Sequence, residues 1–241
     1  MAFIHGKSSQ VLHGAHDLTA FLNDASVSAD AEVAETTAFG SSAKTYIVGL
    51  KDATVSASGM LDGAALATDE VLAASIGSNT LAPVTIGYDG TTLNNRVSLL
   101  LAKTTSYEVS TPVGDVVAVS YSAQADGGVD QGVSLAALTA RTATTTGTAN
   151  DNSASSTNGG VAQLHVTANT WSANATIKVA HSSDNSTFAD LTTFTVVGTA
   201  VTTSERNIVA SGTTVNRYLR AVATLTAGSG SITYQVSFAR R

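Results

Sequence analysis

The sequence predicts a mainly β protein in two modules, with one or two short helices in the first and a small β-sandwich as the second. Three observations predict it. Ile232-Thr233-Tyr234-Gln235-Val236-Ser237-Phe238 alternates apolar and polar without a break, the period of two expected of a strand with one buried and one wet face. Other short runs like it are separated by turn-forming residues such as Ser182-Ser183-Asp184-Asn185 and Gly228-Ser229-Gly230, and strands spaced in this way mark a sandwich. Ser and Thr make 63 of the 241 residues, Gly adds 20, and only 12% are charged. With a mean hydropathy of +0.16, that is too little charge and too much apolar content for a long disordered chain.

The elements follow in order. Asp17-Leu18-Thr19-Ala20-Phe21-Leu22-Asn23 is a short apolar element, helix or strand. Residues 45–50 and 54–61 read as two strands joined by a hairpin turn at Lys51-Asp52. The helix is predicted at 68–77: Thr68 can cap it, Asp69 and Glu70 suit its positive end, and Gly77 suits a left-handed stop. Leu72 and Ile76 are four apart and share a face. Further strands are expected at 81–88, 96–103, 104–110 and 115–122, the last with Val117, Val119 and Tyr121 on one side. The run 142–160 is rich in Thr, Ser, Asn and Gly with almost no large apolar side chain, so it reads as a linker. It separates a first domain, 1–141, from a second, 161–241. Strands at 161–167, 175–181, 188–197, 218–225 and 232–238 give the second an Ig-like or jelly-roll-like sandwich, with Trp171 and Phe188 as core or edge anchors.

Charge divides at the same place. Residues 1–140 carry fourteen acidic and five basic side chains, net −9, and residues 141–241 carry four acidic and seven basic, net +3. Such asymmetry points to two modules in different surroundings. The overall −6 argues against a general nucleic-acid binder, which carries a basic patch. Without Cys there is no disulfide, thiolate metal site or cysteine nucleophile. The opening Met1-Ala2-Phe3-Ile4-His5-Gly6-Lys7 lacks a secretory apolar core, and no apolar run approaches the ~20 residues of a membrane span. The expectation is a soluble protein made in the cytoplasm, with no membrane partner.

Catalytic and ligand motifs fail one by one. His13 and His16 are three apart with Gly14 between them, where a helical zinc pair needs four, so they read as surface or turn histidines. His5, His165 and His181 are isolated, the last two on strands as wet-face or hydrogen-bonded side chains. Gly40-Ser41-Ser42-Ala43-Lys44-Thr45 lacks the glycine before Lys that a phosphate loop needs. No nucleophile elbow of the G-x-S-x-G type is present. Asp69 and Glu70 are explained by the helix start. The sequons at Asn174 and Asn185 read as idle. The expectation is therefore no enzyme, no cofactor and no metal. Phe39 and Tyr46 stand out instead: aromatic side chains among small and polar neighbours, either core plugs or anchors for a partner surface.

The order Asp17-Leu18-Thr19, Phe21-Leu22-Asn23, Thr37-Ala38-Phe39-Gly40, Val48-Gly49-Leu50-Lys51-Asp52-Ala53-Thr54-Val55-Ser56 and Gly59-Met60 resembles the major tail tube protein of long, non-contractile-tailed bacteriophages. The resemblance covers about residues 1–125 and is most specific over 37–63. Val161-Ala162-Gln163-Leu164-His165-Val166, Asn216-Arg217-Tyr218-Leu219-Arg220-Ala221 and Phe238-Ala239-Arg240-Arg241 are similar to the second halves of such proteins. The resemblance implies a tail-tube β-barrel or sandwich domain that forms hexameric rings around a shared barrel. Rings would stack head to tail into a tube in the virion tail, assembled in the host cytoplasm. A long loop between two early strands would reach the next ring, which makes Thr37, Phe39, Lys44 and Tyr46 the inter-ring candidates. Residues 34–46 are expected to be mobile in the monomer. The implied partners are other copies of the chain, a tape-measure protein, tail-end proteins, and double-stranded DNA passing through without sequence-specific binding. An acidic bore would repel phosphate, with Glu108 and Asp115, which flank Thr111-Pro112-Val113-Gly114, as lumen candidates. The second domain would decorate the outside and be dispensable for polymerisation. The alternative reading is a carbohydrate-binding or adhesive β-sandwich using Trp171 and Tyr218 as stacking faces.

Overall fold

The computed structural model describes residues 4–64 and 68–241. After a 3-10 turn at Gly6–Ser8 come β1 (Gln10–His13), β2 (His16–Asp17), β3 (Leu22–Glu35) and β4 (Tyr46–Met60). The helix α1 (Thr68–Ser75) precedes β5 (Ala82–Gly87), β6 (Arg96–Ser110), β7 (Ala118–Ala125) and β8 (Asp130–Arg141). Then follow β9 (Thr145–Thr146), β10 (Asn150–Asp151), β11 (Gly160–Asn169) and β12 (Ala175–Ser182). β13 (Ala189–Thr193), β14 (Thr203–Val209), β15 (Tyr218–Leu225) and β16 (Ile232–Arg240) complete the order. The protein is mainly β and its paired strands run antiparallel, as expected.

Two compact units form, and neither is continuous in sequence. One comprises Met1–Phe21, Ala82–Leu99 and Asp130–Arg241; the other comprises Leu22–Leu81 and Leu100–Val129. The division expected at 142–160 is therefore not where the contacts divide. That stretch is not a free linker either: Thr145 and Thr146 pair with Ala223 and Val222, and Asn150 and Asp151 pair with Leu219 and Tyr218. Short hydroxylic side chains add little core but leave the backbone free to complete a sheet edge.

The larger unit is a sandwich with a further cover. β14, β11, β16 and β8 lie side by side, opposed by a second sheet in the order β10, β15, β12, β13. Leu135, Leu164, Val166, Ile177, Val179, Leu219, Val236 and Phe238 fill the space between them. Trp171 is buried in this core, its Nε1 donating to Thr226 O at 3.1 Å. The opposite face of β11 and β16 is not wet, contrary to the expectation drawn from the alternation in 232–238. Gln163, His165, Gln235 and Ser237 are fully buried. Gln163 Nε2 donates to Val84 O at 2.9 Å, and Ala239 packs with Val97 and Leu99. Buried amides and hydroxyls are tolerated when bonded, so polar alternation here marks a second interface rather than solvent.

The smaller unit is a four-stranded antiparallel sheet in the order β3, β4, β7, β6. Ala53, Val55, Ala57, Val119, Tyr121 and Ala123 form its buried face, and Val71 and Leu72 of α1 are buried with them. Ser75 Oγ donates to Thr104 Oγ1 at 2.7 Å, and the Tyr107 hydroxyl donates to Asp69, fastening the helix to β6. Thr68 is itself helical and its Oγ1 accepts the Asp62 N–H, so it does not cap. Ile76 lies past the helix and is exposed while Leu72 is buried, so the two do not share a buried face. Gly77, at φ +72°, takes the expected left-handed stop.

Candidate assembly surface

The hairpin of β3 and β4 is the dominant feature of the smaller unit. It pairs from Leu22 with Gly59 out to Glu35 with Tyr46. The turn expected at Lys51-Asp52 does not exist: Asp52 faces Asp30 and Lys51 faces Ala31 in mid-ladder. The two predicted strands are one, and the turn is 36–45. A turn-like Lys-Asp pair was outweighed by apolar and β-branched residues on both sides of it.

The inter-ring candidates all sit at this tip or beside it. Thr36 N donates to Thr45 O at 2.8 Å, and Thr45 N donates to Thr37 Oγ1 at 3.1 Å. Lys44 Nζ lies 3.1 Å from Glu35 Oε2. Gly40 at φ +89° turns the chain. Thr37 and Lys44 thus hold the tip closed, while Phe39 is fully exposed and Tyr46 more than half exposed. Val33, Ile47, Val48 and Leu50 are also exposed along the same hairpin, a cluster that the sequence reading missed apart from its aromatics.

The second feature is the face of the sheet opposite α1. Residues paired directly across antiparallel strands share a face, and the registers lay polar side chains in rows. One row is Asp24, Ser58, Ser120 and Glu108; the next is Ser26, Ser56, Ser122 and Ser106; a third is Ser28, Thr54, Gln124 and Lys103. Ser56 Oγ and Ser122 Oγ are 3.3 Å apart. Asp30 and Asp52 face each other at the end of this surface, Asp30 accepting from Ser28 Oγ at 3.2 Å and Asp52 from the Gln124 amide. Of the two lumen candidates, Glu108 belongs to this face. Asp115 lies off the strands in an exposed turn, where its Oδ1 accepts the Val116 N–H at 2.7 Å. Charge follows the units closely: the smaller carries eleven acidic and three basic side chains, net −8, and the larger seven and nine, net +2.

The third feature is the outer strands. Among the described residues of this unit β3 pairs with β4 alone, and β6 from Ala102 onward with β7 alone. Both therefore present a row of backbone donors and acceptors along one side.

The histidines divide. His13 is buried rather than on the surface, and burial first, then the neighbouring His16, pulls its pKa down to about 4. His165 is fully buried and hydrogen-bonded: its Nδ1 donates to Gly14 O at 2.7 Å, and its Nε2 lies 2.8 Å from Thr85 Oγ1. Burial holds it down to about 4 as well. The network continues from Gln163 Oε1, which accepts from Arg206, to Asp130, which also takes Arg241. Burial of Trp171 removes one stacking face of the carbohydrate reading. The other, Tyr218, is half-buried with the Arg217 guanidinium 5.0 Å from its ring centre.

No protein-family model matches the chain, and no curated protein matches it. Among solved structures it is similar to a chain in the virion of a native gene transfer agent particle, at 16% identity and TM-score 0.44, over 53% of this chain and 97% of that one. It is similar to a chain of the tail of an empty gene transfer agent particle, determined with C6 symmetry, at 15% identity and TM-score 0.41, over 52% and 96%. It is also similar to the Dit hub protein of the SPP1 adsorption apparatus, at 13% identity and TM-score 0.38, over 96% and 98%. Likenesses this distant do not assign a function.

Proposed function

We propose that the chain is a structural subunit of a bacteriophage tail, whose copies join into rings that stack as a tube. The observation that carries this reading is the β3–β4 hairpin, which holds Val33, Phe39, Tyr46, Ile47, Val48 and Leu50 in solvent. Apolar side chains gathered on one element and left uncovered mark an interaction surface. The outer strands supply the second contact. An exposed strand edge is a template for another chain, and β3 of one copy set against β6 of the next is a heterologous contact that closes into a ring or runs on as a helix. Six copies per ring, as the resemblance implies, would continue the four-stranded sheet into a barrel.

The polar face suits the inside of such a barrel. Its short hydroxyls offer no apolar grip, and Asp24, Asp30, Asp52 and Glu108 outnumber Lys103 on it. Directly opposed like charges destabilise a ladder, so the facing Asp30 and Asp52 are better explained by a bore that repels phosphate than by stability. Tape-measure protein during assembly and DNA afterwards are the proposed contents, with tail-end proteins capping the tube in the virion.

Sedimentation of the full chain beside a variant lacking 37–44 tests the hairpin's part. The full chain should form large particles, and the shortened one a folded monomer with unchanged circular dichroism. Large particles from the shortened chain would contradict the reading.

A further inference from the structure

The larger unit holds a cavity of about 250 Å³, lined by Arg96, Arg240, Gln131, Asn152, Val133 and Phe238. Two arginines line it and no acidic side chain does. Among the described residues Arg240 meets neutral acceptors: NH1 donates to Val215 O at 2.8 Å and to Ser156 Oγ at 3.1 Å, and NH2 donates to Asn216 O and to Arg217 O, the latter at 3.4 Å. Its Nε–H is buried and meets no acceptor among the described residues. The guanidinium of Arg96 is exposed and has no hydrogen-bond or ion-pair partner among the described residues. The acids adjacent in sequence to Gln131 and Asn152 are already committed. Asp130, beside Gln131, takes both Arg206 and Arg241, and Asp151, beside Asn152, is bound at 2.7 Å by both Nε and NH2 of Arg217.

We propose that this cavity binds a small oxyanion, a phosphate or a carboxylate, between Arg96 and Arg240. Removing a guanidinium from water without a counter-charge is unfavourable, and burial accordingly pulls the Arg240 pKa below its usual value. An oxyanion offsets that penalty by its charge beside Arg240 and by charge-assisted hydrogen bonds from the guanidinium of Arg96, whose planar fork is well shaped for it. The arrangement is prepared in advance, because the backbone carbonyls fix Arg240 whether or not a ligand is present. The volume lies below the roughly 300–1,000 Å³ of drug-sized pockets, which points to a small ion rather than a nucleotide. The proposal is independent of the assembly reading.

Isothermal titration of the full chain with sodium phosphate, and separately with sodium acetate, tests it at constant chloride concentration. Saturable binding of one anion per chain is expected for at least one of the two. Phosphate alone identifies a tetrahedral ligand, acetate alone a carboxylate, and both the shared chemistry. Arg96→Gln, at an exposed position, should keep the fold and weaken binding about tenfold or more. Absence of saturable heat with both anions, or an Arg96→Gln protein that binds as tightly as the parent, would overturn the proposal.

Discussion

Single residues set the chain's response to pH and its tolerance of change. His13 and His165 ordinarily titrate near 6.5, and both are held at about 4 by burial in the folded chain. As pH falls from 6.5 the unfolded chain takes up these protons first. Stability is therefore full above 6.5 and is lost on the way down to 4, by about 2 kcal/mol per histidine at pH 5. Urea midpoints at pH 7.5 and 5.0 read this loss, to which His181, also held below its ordinary value by burial, adds; equal midpoints would show that the histidines are not buried as described. Gly160 gives a second prediction. A Cβ there would lie 2.5 Å from Ala239 O and 2.6 Å from the Phe238 ring, so Gly160→Ala should destabilise by about 1–3 kcal/mol in the same assay. The burial of these positions was not legible in the sequence. Gly159-Gly160 read as the end of a soft linker, and His165 as a wet-face or hydrogen-bonded strand residue, of which the hydrogen-bonded alternative holds, because only tertiary packing shows which backbones close on a glycine and what covers a strand's second face. Trp171, by contrast, was legible as an anchor, since a lone indole in a chain of small residues has few other places to go.

At the scale of elements, strands with regular alternation were read well: 218–225 and 232–238 match β15 and most of β16. β8 was missed, and its ladder with β16 carries register shifts at Tyr234/Val236 and Val236/Ser237, which break the period of two. The hairpin was misread where a polar pair interrupts one long strand. The polar sheet face had a signal that went unread, for Ser26-Val27-Ser28, Ser56-Ala57-Ser58 and Ser120-Tyr121-Ser122 repeat Ser-x-Ser on three strands that become neighbours. Replacing Ile47, Val48 and Leu50 with Ser should change the monomer's unfolding free energy by only about 0.5 kcal/mol or less per site, since all three are exposed. The same triple variant should abolish large particles in sedimentation. Loss of the fold would mean that these hairpin side chains serve the monomer, and retained particles would mean that they serve nothing in assembly.

For the whole molecule, the interleaving of the two units in sequence decides what can be cut away. Leu135 and Ala136 of β8 sit in the same core as Val236 and Phe238 of β16. A chain ending near residue 145 should therefore be insoluble, and soluble, folded protein from that truncation would show that the first 145 residues stand alone. Charge separation between units was visible in the sequence as −9 against +3, but its boundary was displaced because residues 1–21, 82–99 and 130–141 belong with the second half. If the acidic unit lines a bore, Asp24→Lys with Glu108→Lys should leave particles intact and slow DNA release from assembled tails. Added salt should restore the rate, since screening sets in over about 10 Å at 0.1 M; release at the native rate in low salt would place those side chains elsewhere. The most direct test is cryo-electron microscopy of the purified chain at high concentration. Rings or tubes are expected in which β3 of one copy hydrogen-bonds to β6 of the next and Ser56, Ser122 and Glu108 face the bore. A chain that stays monomeric, or an assembly that leaves both outer strands in solvent, would contradict the assembly proposed for this protein.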